Sequence, residues 1–570
     1  MENIEKAPNV PPFVQYCAML IPTVFDDSLS YYEALCALSK WLQDNVITVI
    51  NNNATVTDSY IQLTNEYIQL TDDLKEYVEN YFENLDVQTE INNKLDAMVE
   101  DGTLSAIIAP IVGDQIDQLA SSVNASIAEF SKELGEARLN EIRKNYNNYK
   151  LVTKPTGFTE DFFTNFNIYT NNQGNYIVNY NKDDFINQSS TNTWYFAPDG
   201  DNANSGEDFD HAKLTIDSPF VSAMSDGDTI ILKGGFYPKG APFSNVKMTK
   251  SVNIIAEDGK DVILTQYDST LVWTQYGNNS WSTTRSGIRT LFDITKWKEK
   301  KFTELVKVES LATLDATPNT YFVDGSTVYV HMYDNVKPSI ETLGICLGVG
   351  YATTQFEPTA NNAKLYIKGL TYIVADIGGI KADATTYSGC SVLVEDTNIF
   401  NVWCNGYNYD AFSNKGCASI CNNVTVLNTM KDGFNYHNST SYPAYGLEVD
   451  CYVNNCGEHQ TLEARLSNNA STAHNYCKVI RVNGTYTLCN GGVVVDIDNA
   501  LGACYGCVIA DSYGRSYDLY ATDNATIYAY DCYFKGSIAT TNMKTGGAGT
   551  IYQSNCQYDT TQGNVIDLNA

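Results

Sequence analysis

The sequence of 570 residues predicts a mainly β solenoid preceded by a helical rod, and two repeating patterns carry that prediction. From Val46 to Tyr81, mostly apolar residues recur at alternating steps of three and four, the heptad pattern of a coiled coil. Beyond about residue 365, strand-like segments recur, at first at intervals of 27 residues. One similar strand per coil is typical of a parallel solenoid, in which like residues stack in columns.

Residues 1–45 are predicted to form an anchoring segment. Several prolines precede a short helical pattern, in which Ser30 and Glu33 have the spacing of a capping box and Leu35 and Leu38 share a face. Because so short a helix is not stable alone, we expect this segment to dock into a larger assembly. A simple helical lead-in is the alternative.

Residues 46–150 are predicted to form a helical coiled-coil stalk. Only Asn53 in the seam is polar, and one buried Asn commonly sets the register of a coiled coil. Tyrosines in the seam favour more than two strands, so we expect a trimeric stalk whose heptad part is roughly 54 Å long. A single amphipathic helix packed on its own domain is the alternative. The seam positions are Val46, Val49, Asn53, Val56, Tyr60, Leu63, Tyr67, Leu70, Leu74, Tyr77 and Tyr81.

Helical periodicity ends near residue 150, and alternating apolar runs separated by Asn, Gly and Asp follow. We expect a linker or neck at 151–193 and a β solenoid at 194–570, with inserted loops at about 265–340. A propeller blade needs about 40 residues, which is longer than the interval between these repeated strands. A β-sandwich stays an alternative. The repeated steps are Gly369-Leu370, Asp396-Thr397, Asn423-Val424, Asp450-Cys451, Gly484-Thr485, Gly506-Cys507, Asp531-Cys532 and Asn555-Cys556.

Composition restricts the function. A net charge of −31 disfavours binding to nucleic acid or to an anionic membrane surface. The N-terminus shows no secretion signal and no apolar run reaches membrane length, so we expect synthesis in a cytoplasm and no membrane insertion. The 15 cysteines recur with the repeat, and we expect small buried reduced side chains rather than a disulfide framework. Forty tyrosines suit a sugar-binding surface or simply reflect a preference of strands for Tyr.

The segment at 194–237 resembles the opening of pectate-lyase-like β-helices. It contains the strand and turn YFAPDG, the small-residue loop NANSG, the helix-like DSPFVSAMS, the strand GDTIIL and the turn KGGFY, in that order. This resemblance implies a right-handed parallel β-helix. It does not indicate a function, because that superfamily includes lyases, hydrolases, epimerases and adhesins.

The whole layout resembles tail spikes and receptor-binding appendages of phages that infect Gram-positive bacteria. The resemblance covers most of residues 30–540 and includes VKVESLATLDATPNTYFVDGSTVYVHMYD at 306–334, DGFNYH at 432–437, ASTAH at 470–474 and RVNGTY at 481–486. It implies a homotrimer in the virion, attached by its N-terminus to a phage tail or portal/collar protein, that recognises a bacterial cell-surface polysaccharide. No separate C-terminal trimerisation domain is recognisable, which leaves trimerisation to the stalk and the coil surfaces.

Three of the five histidines lie close together in the sequence and suggest a site. Steps of 27 residues from His437 lead to Asp410 and Asp383 in one direction. In the other direction they lead to Ala464, which Glu463 and Arg465 flank, so we expect these residues in one column. Carboxylates on neighbouring coils suit general acid and base catalysis on a glycan, and histidines exchange protons near neutral pH. The candidate catalytic residues are Asp410, His437, Glu458, His459, Glu463 and His474, and the candidate glycan-binding residues are Asp383, Asp432, Phe434, Tyr436, Arg465 and Asp496.

Two functions follow from these residues. The first is binding of a host polysaccharide, with aromatic rings stacking on sugars and trimerisation adding avidity. The second is cleavage of the same glycan by a hydrolase or lyase. A bacterial surface adhesin is less favoured, because no secretion or sorting segment is recognisable. We expect no metal and no cofactor, since no local spacing of ligands supports one. The alternative for each single residue is a polar loop side chain that bonds a turn backbone.

Overall fold

The computed structural model describes residues 149–171, 174–187, 192–244, 246–298, 301–347, 354–373, 378–402, 410–457 and 468–569. The predicted anchor at 1–45 lies outside the described residues, and so does the predicted coiled coil. The trimeric stalk therefore stays a prediction.

The described chain begins with a small antiparallel sheet of three strands in the order β1-β2-β3. Its elements are β1 (Lys150–Leu151), α1 (Asp161–Thr164), β2 (Phe166–Thr170), β3 (Tyr176–Tyr180) and a 3₁₀ helix (Lys182–Asp184). The first coils of the solenoid follow, as β4 (Thr193–Phe196), α2 (Ser218–Ala223), β5 (Asp228–Leu232), β6 (Gly235–Tyr237), β7 (Lys247–Met248), β8 (Val252–Ala256) and β9 (Val262–Leu264).

An insertion interrupts the solenoid between β9 and the next coil. Where the sequence predicts inserted loops, the structure has two small, mostly antiparallel sheets around a core of their own, which includes Leu291, Val330 and Ile345. The elements are β10 (Thr274–Gln275), β11 (Trp281–Thr284), β12 (Thr290–Lys298), β13 (Lys301–Glu304), β14 (Val306–Lys307), α3 (Leu311–Ala316), β15 (Thr320–Asp324), β16 (Thr327–His331) and β17 (Leu343–Cys346). None of the described helices is long and apolar enough to cross a membrane.

The remaining strands complete the solenoid. They are β18 (Thr354–Phe356), β19 (Lys364–Lys368), β20 (Leu370–Ile373), β21 (Ile380–Asp383), β22 (Ser391–Glu395), β23 (Asn398–Val402), β24 (Phe412–Lys415), β25 (Ala418–Asn422), β26 (Thr425–Thr429), β27 (Phe434–His437), β28 (Tyr445–Val449), β29 (Tyr452–Cys456), β30 (Ser471–Ala473), β31 (Lys478–Val482), β32 (Thr485–Cys489), β33 (Val494–Asp496), β34 (Leu501–Tyr505), β35 (Val508–Ala510), β36 (Tyr517–Ala521), β37 (Thr526–Tyr530), β38 (Thr541–Thr545), β39 (Thr550–Ser554), β40 (Thr561–Gln562) and β41 (Val565–Asp567).

Three long parallel sheets form the walls of the solenoid, as a parallel β-helix requires. The twelve-stranded sheet has the order β4-β5-β8-β19-β22-β25-β28-β31-β34-β37-β39-β41, the eight-stranded sheet β35-β32-β29-β26-β23-β20-β9-β6, and the ten-stranded sheet β40-β38-β36-β33-β30-β27-β24-β21-β18-β7. Each central coil contributes one strand to each wall. Side chains alternate between the interior and the outer face of each wall.

A left-handed residue turns the chain from the twelve-stranded to the eight-stranded sheet in successive coils. Asp396, Asn423 and Asp450 have φ of 50°, 54° and 51°, a conformation that Gly, Asn and Asp tolerate best. The recurring Asp and Asn of the repeat are therefore turn residues. The sequence places one of these turns at Gly484, but the structure places it at Asn483, with φ of 54°.

The interior of the solenoid is apolar over most of its length and contains the described cysteines except Cys346, which lies in the insertion. No disulfide joins any two of the twelve cysteines among the described residues, and all except Cys556 are buried, as the repeat predicts.

Residues 151–187 do not behave as the predicted linker. The small N-terminal sheet packs its apolar side, with Phe163 and Ile168, against Ile420 and Leu447 on the outer face of the twelve-stranded sheet. That contact covers part of this outer face. The insertion covers part of the eight-stranded sheet in the same way, since Phe292 and Phe302 pack with Ile373 and Met430.

Candidate functional site

The alternation of side chains in β27 separates the predicted site residues. Phe434 and Tyr436 point into the solenoid, belong to its core and have no exposed surface. Asn435 and His437 lie on the outer face because side chains alternate along a strand. The predicted contacts of Phe434 and Tyr436 with a glycan are therefore wrong.

Asp496 was also predicted to contact a glycan, and the structure places it in the interior. Its side chain is completely buried, and both of its oxygens accept hydrogen bonds from Arg481, at 2.9 Å and 3.2 Å. A carboxylate whose two oxygens are bound by one guanidinium is not available to a ligand.

The predicted column through Asp410 and His437 is wrong in register. Lys415, not Asp410, is paired with His437, and Asp383 is paired with Lys415. Asp410 lies beside Asp432 instead, since the N–H of Ala411 donates a hydrogen bond to the carbonyl oxygen of Asp432 at 2.9 Å. In the twelve-stranded sheet, residues 27 apart are paired in neighbouring coils between residues 391 and 445. The strands of the ten-stranded sheet follow connections of different length, so residues 27 apart are not paired there.

Two histidines nevertheless meet on the outer face. The rings of His437 and His474 are stacked, with centroids 4.0 Å apart and planes inclined by 14°. Burial lowers the pKa of His437, and the nearby Asp410 opposes that shift. Burial, together with the neighbouring His437 and Lys431, lowers the pKa of His474 to about 3. Both imidazoles are neutral at neutral pH, so each has one hydrogen-bond donor and one acceptor. His474 Nε2 lies 3.4 Å from Thr472 Oγ1, and His437 has a side-chain hydrogen bond with Asn475, so part of this capacity is already used.

A charged cluster lies at the start of the same strands. Asp410 Oδ1 lies 3.3 Å from Lys431 Nζ, and the lysine side chain is 29% exposed. Asp432 follows Lys431 in the sequence, is buried, and accepts hydrogen bonds from Asn469 N at 2.7 Å and from Asn435 Nδ2 at 2.9 Å. Burial, and next the negative charge of Asp410, raise the pKa of Asp432 to about 8. Asp432 therefore keeps its proton at neutral pH.

Asn435 carries an unsatisfied polar atom between these two groups. The residue is 1% exposed, and its Oδ1 has no hydrogen-bond partner among the described residues. A buried acceptor without a partner costs stability and is uncommon unless another group or a ligand binds it.

The outer face of the ten-stranded sheet forms one continuous column through this cluster. Neighbouring positions in the column are directly paired, and most are polar. In order along the solenoid they are Lys247, Gln355, Lys381, Ser413, Asn435, Thr472, Val495, Tyr520, Lys544 and Gln562.

Other predicted residues are not part of the cluster. Asp383 is half-buried and accepts hydrogen bonds from the backbone and hydroxyl of Thr385, as a turn side chain does. Glu458, His459, Glu463 and Arg465 lie outside the described residues, and their roles stay predictions. Lys431, Asn435 and Thr472 were missed by the sequence analysis, although alternation along DGFNYH would have placed Asn435 beside the site.

A second polar cluster fills the interior between the ten-stranded and twelve-stranded sheets. Arg481 is completely buried, donates to Ser471 at 2.8 Å and forms the paired bonds with Asp496. Glu448 accepts from Ser471 at 2.7 Å and from Tyr486 at 2.6 Å, and burial raises its pKa. The sequence analysis missed this network, since Arg481 and Glu448 occur in ordinary strand patterns.

One group in the described residues has the geometry to hold a metal ion. Glu207, Asp208 and His211 each offer an atom within 4.8 Å of the others, but all three are exposed. Hydrogen bonding with Asp208 raises the pKa of His211. These residues lie in the loop between β4 and α2, apart from the histidine pair.

No family model and no curated relative matches the sequence. Among solved structures, a glycoside hydrolase has a TM-score of 0.41 at 9% identity, covering 66% of this chain and 96% of that one. Pectate lyase Pel9A has a TM-score of 0.28 at 13% identity, covering 65% and 80%. The Gp54 tailspike of Acinetobacter baumannii bacteriophage AP22, solved with capsular saccharide, has a TM-score of 0.13 at 12% identity, covering 60% and 67%. At these TM-scores the overlap identifies neither a reaction nor a ligand.

Proposed function

We propose that the outer face of the ten-stranded sheet binds a polysaccharide of a bacterial cell surface. The observation that carries this proposal is the cluster of Lys431, Asn435, His437 and His474. It combines an accessible cation, two neutral imidazoles and an unsatisfied amide oxygen on one continuous wall. Sugar hydroxyl groups both donate and accept hydrogen bonds, and they match such a set.

A binding experiment tests this function directly. Wild-type protein and the Lys431→Gln, His437→Gln double variant are applied to an array of bacterial capsular and cell-wall polysaccharides. We expect the wild type to bind at least one polysaccharide, and the double variant to bind it at least tenfold more weakly. Lys535→Gln is the matched control because Lys535 is exposed and lies outside this cluster. Equal binding by the double variant and the control would contradict the proposed site.

Cleavage of the glycan is the second candidate, and the protonation of Asp432 favours it. A carboxylic acid that keeps its proton at neutral pH, beside a second carboxylate at Asp410, is the pairing that glycan hydrolysis uses. In such a reaction Asp432 donates its proton to the leaving oxygen as the glycosidic bond breaks, and Asp410 accepts a proton from the water that attacks the anomeric carbon. Asp432 is only 3% exposed, so neighbouring side chains have to move before Asp432 reaches the glycan.

Turnover separates the two candidates. Wild type and Asp432→Asn are incubated with the bound polysaccharide, and reducing ends and polymer length are followed. If the protein is an enzyme, we expect Asp432→Asn to lower the rate by about 10²–10⁴-fold while binding stays within a few-fold. Binding without any shortening of the polymer by the wild type would leave binding alone as the function.

We further propose that the chain is a trimeric tail appendage of a phage, attached to the virion through its N-terminal segment. The resemblance of residues 306–334 and 432–437 to phage tail spikes supports this assignment, together with the heptads that begin at Val46. Light scattering of the full chain is expected to give three times the 63.1 kDa chain mass. A monomer would contradict the trimer and remove the avidity that weak single sites need.

A further inference from the structure

A second feature of the same outer face lies two coils beyond the histidine pair. Tyr517 and Tyr520 of β36 bring their rings together, with centroids 4.3 Å apart and planes inclined by 32°. Both side chains are only partly buried. Tyr520 belongs to the column that contains Asn435 and Thr472, so the rings continue the surface of the proposed site.

Two cations flank these rings. Lys544 Nζ lies 5.2 Å from the centroid of the Tyr517 ring, and Lys544 is paired with Tyr520 in the neighbouring strand β38. Arg515 is exposed and lies near Tyr517, where its positive charge opposes the rise in the Tyr517 pKa caused by burial. These two cations lie beside one aromatic pair, although the net charge of the whole chain is −31.

Two glycines make room for the rings. A Cβ on Gly492 would lie 2.7 Å from Tyr517 Cε2, and a Cβ on Gly546 would clash with the Tyr520 hydroxyl oxygen. Any other residue at either position would force a ring to move. The two glycines therefore leave the space that the rings occupy.

The tyrosine pair lies close enough to the histidine pair for one glycan chain to contact both. Neighbouring coils lie about 4.8 Å apart, and Tyr520 is two coils from Thr472, so the separation is about 10 Å. A polysaccharide along the outer face would span that distance with about two sugar units. It would then reach the rings while it still contacts His474.

We propose that Tyr517, Tyr520, Arg515 and Lys544 form a second subsite, which binds a sugar unit carrying an anionic group. The inference rests on the proposed function, because it needs a glycan on the same face. The rings stack on the apolar side of a pyranose, and the two cations pair with a carboxylate, phosphate or sulfate substituent. The glycan is therefore acidic, and it runs along the axis of the solenoid from the histidines to Lys544.

Equilibrium binding of the full chain to named polysaccharides tests the subsite. The probes are hyaluronate and alginate for carboxylates, lipoteichoic acid for phosphate, dextran sulfate for sulfate, and dextran as the neutral reference. We expect binding to at least one acidic probe, with an affinity that falls as KCl rises from 50 to 500 mM. Binding to none of the acidic probes, or equal binding to dextran, would overturn the inference. The probe that binds identifies the anionic group.

Variants locate the contact on the outer face. We expect Lys544→Gln and Arg515→Gln each to weaken binding of the acidic probe about tenfold, and Tyr520→Ala to weaken it similarly. Tyr520→Phe keeps the ring and is expected to bind within a factor of three of the wild type. Lys535→Gln is the charge-matched control and is expected to change nothing. Thermal melting of each variant shows whether the fold is kept.

The pattern of losses distinguishes this inference from the proposed function. Weaker binding in Lys544→Gln with full binding in the Lys431→Gln, His437→Gln variant would leave the second subsite standing and contradict the histidine site. The reverse pattern would overturn the second subsite alone. Unchanged binding in Lys544→Gln, Arg515→Gln and Tyr520→Ala together would also overturn it.

Discussion

The two faces of the ten-stranded sheet both bury charged groups, but they satisfy them differently. Inside, Arg481 binds both oxygens of Asp496, and Glu448 accepts from a serine and a tyrosine. Outside, Asp432 shares its surroundings with a second carboxylate, and the Asn435 Oδ1 has no partner among the described residues. The strands that contribute to the two clusters are partly the same.

This comparison shows that burial of charge does not by itself mark a site. The interior network links β28, β30, β31 and β33, so it holds neighbouring coils in register and completes its own hydrogen bonds. The outer cluster leaves acceptors unpaired and a proton on Asp432. Buried polar atoms without a hydrogen-bond partner indicate a ligand site better than buried charge does.

The largest effect is expected from breaking the interior network. Arg481→Met removes the only cation and leaves Glu448 and Asp496 buried without it, so the free energy of unfolding should fall by about 3–5 kcal/mol. Chemical denaturation of the variant and the wild type measures the change. Arg481→Lys keeps a charge and is expected to lose less. A loss below about 1 kcal/mol in Arg481→Met would show that the network does not hold the coils.

A smaller change in the free energy of unfolding is expected from the pH-dependent protonation of Asp432. Its folded pKa, about 8, lies above the ordinary value, so the folded state binds more protons than the unfolded state between pH 4 and 8. Stability from this group is complete below pH 4 and is lost as the pH rises through 8. Between pH 5 and 7 we expect a fall of about 2 kcal/mol in the wild type that is absent in Asp432→Asn. Denaturation at both pH values measures it, and equal slopes would contradict a protonated Asp432.

The opposite dependence of stability on pH is expected from His474. Its folded pKa, about 3, lies below the ordinary value, so the unfolded state binds the extra proton. Stability from the neutral imidazole is present above pH 6.5 and is lost as the pH falls through 3. Between pH 6 and 4 we expect a loss of about 1 kcal/mol that His474→Gln lacks, since the ring is partly exposed. If the wild type and His474→Gln lose stability in parallel over this range, the ring is not held neutral.

The smallest effect on stability is expected at Lys431. Its ion pair with Asp410 is partly exposed, so Lys431→Gln should lower the free energy of unfolding by only about 0.5–1 kcal/mol. Its affinity for the polysaccharide should nevertheless fall about tenfold. Comparing denaturation with binding for this variant contrasts the outer cluster with the interior network. A stability loss as large as that of Arg481→Met would indicate a structural role instead.

The sequence analysis recovered the repeat better than the site. The turn residues Asp396, Asn423 and Asp450 could be recognised because a left-handed conformation selects Asn, Asp and Gly. The column through Asp410 could not be, because the step of 27 residues does not extend to the ten-stranded sheet. The interior positions of Tyr436 and Asp496 could not be predicted from residue type, because the alternation of side chains along each strand decides which of them face inward.

The sequence by itself determined the parallel solenoid and its turn positions, because these depend on local periodicity and on backbone conformations that few residues adopt. It also indicated the segment that contains His437 and His474. Only the tertiary structure decided which side chains meet, since connections of unequal length set the register of each wall. The stacking of two histidines distant in the sequence, and the proton on Asp432, both follow from that register and from the burial it creates.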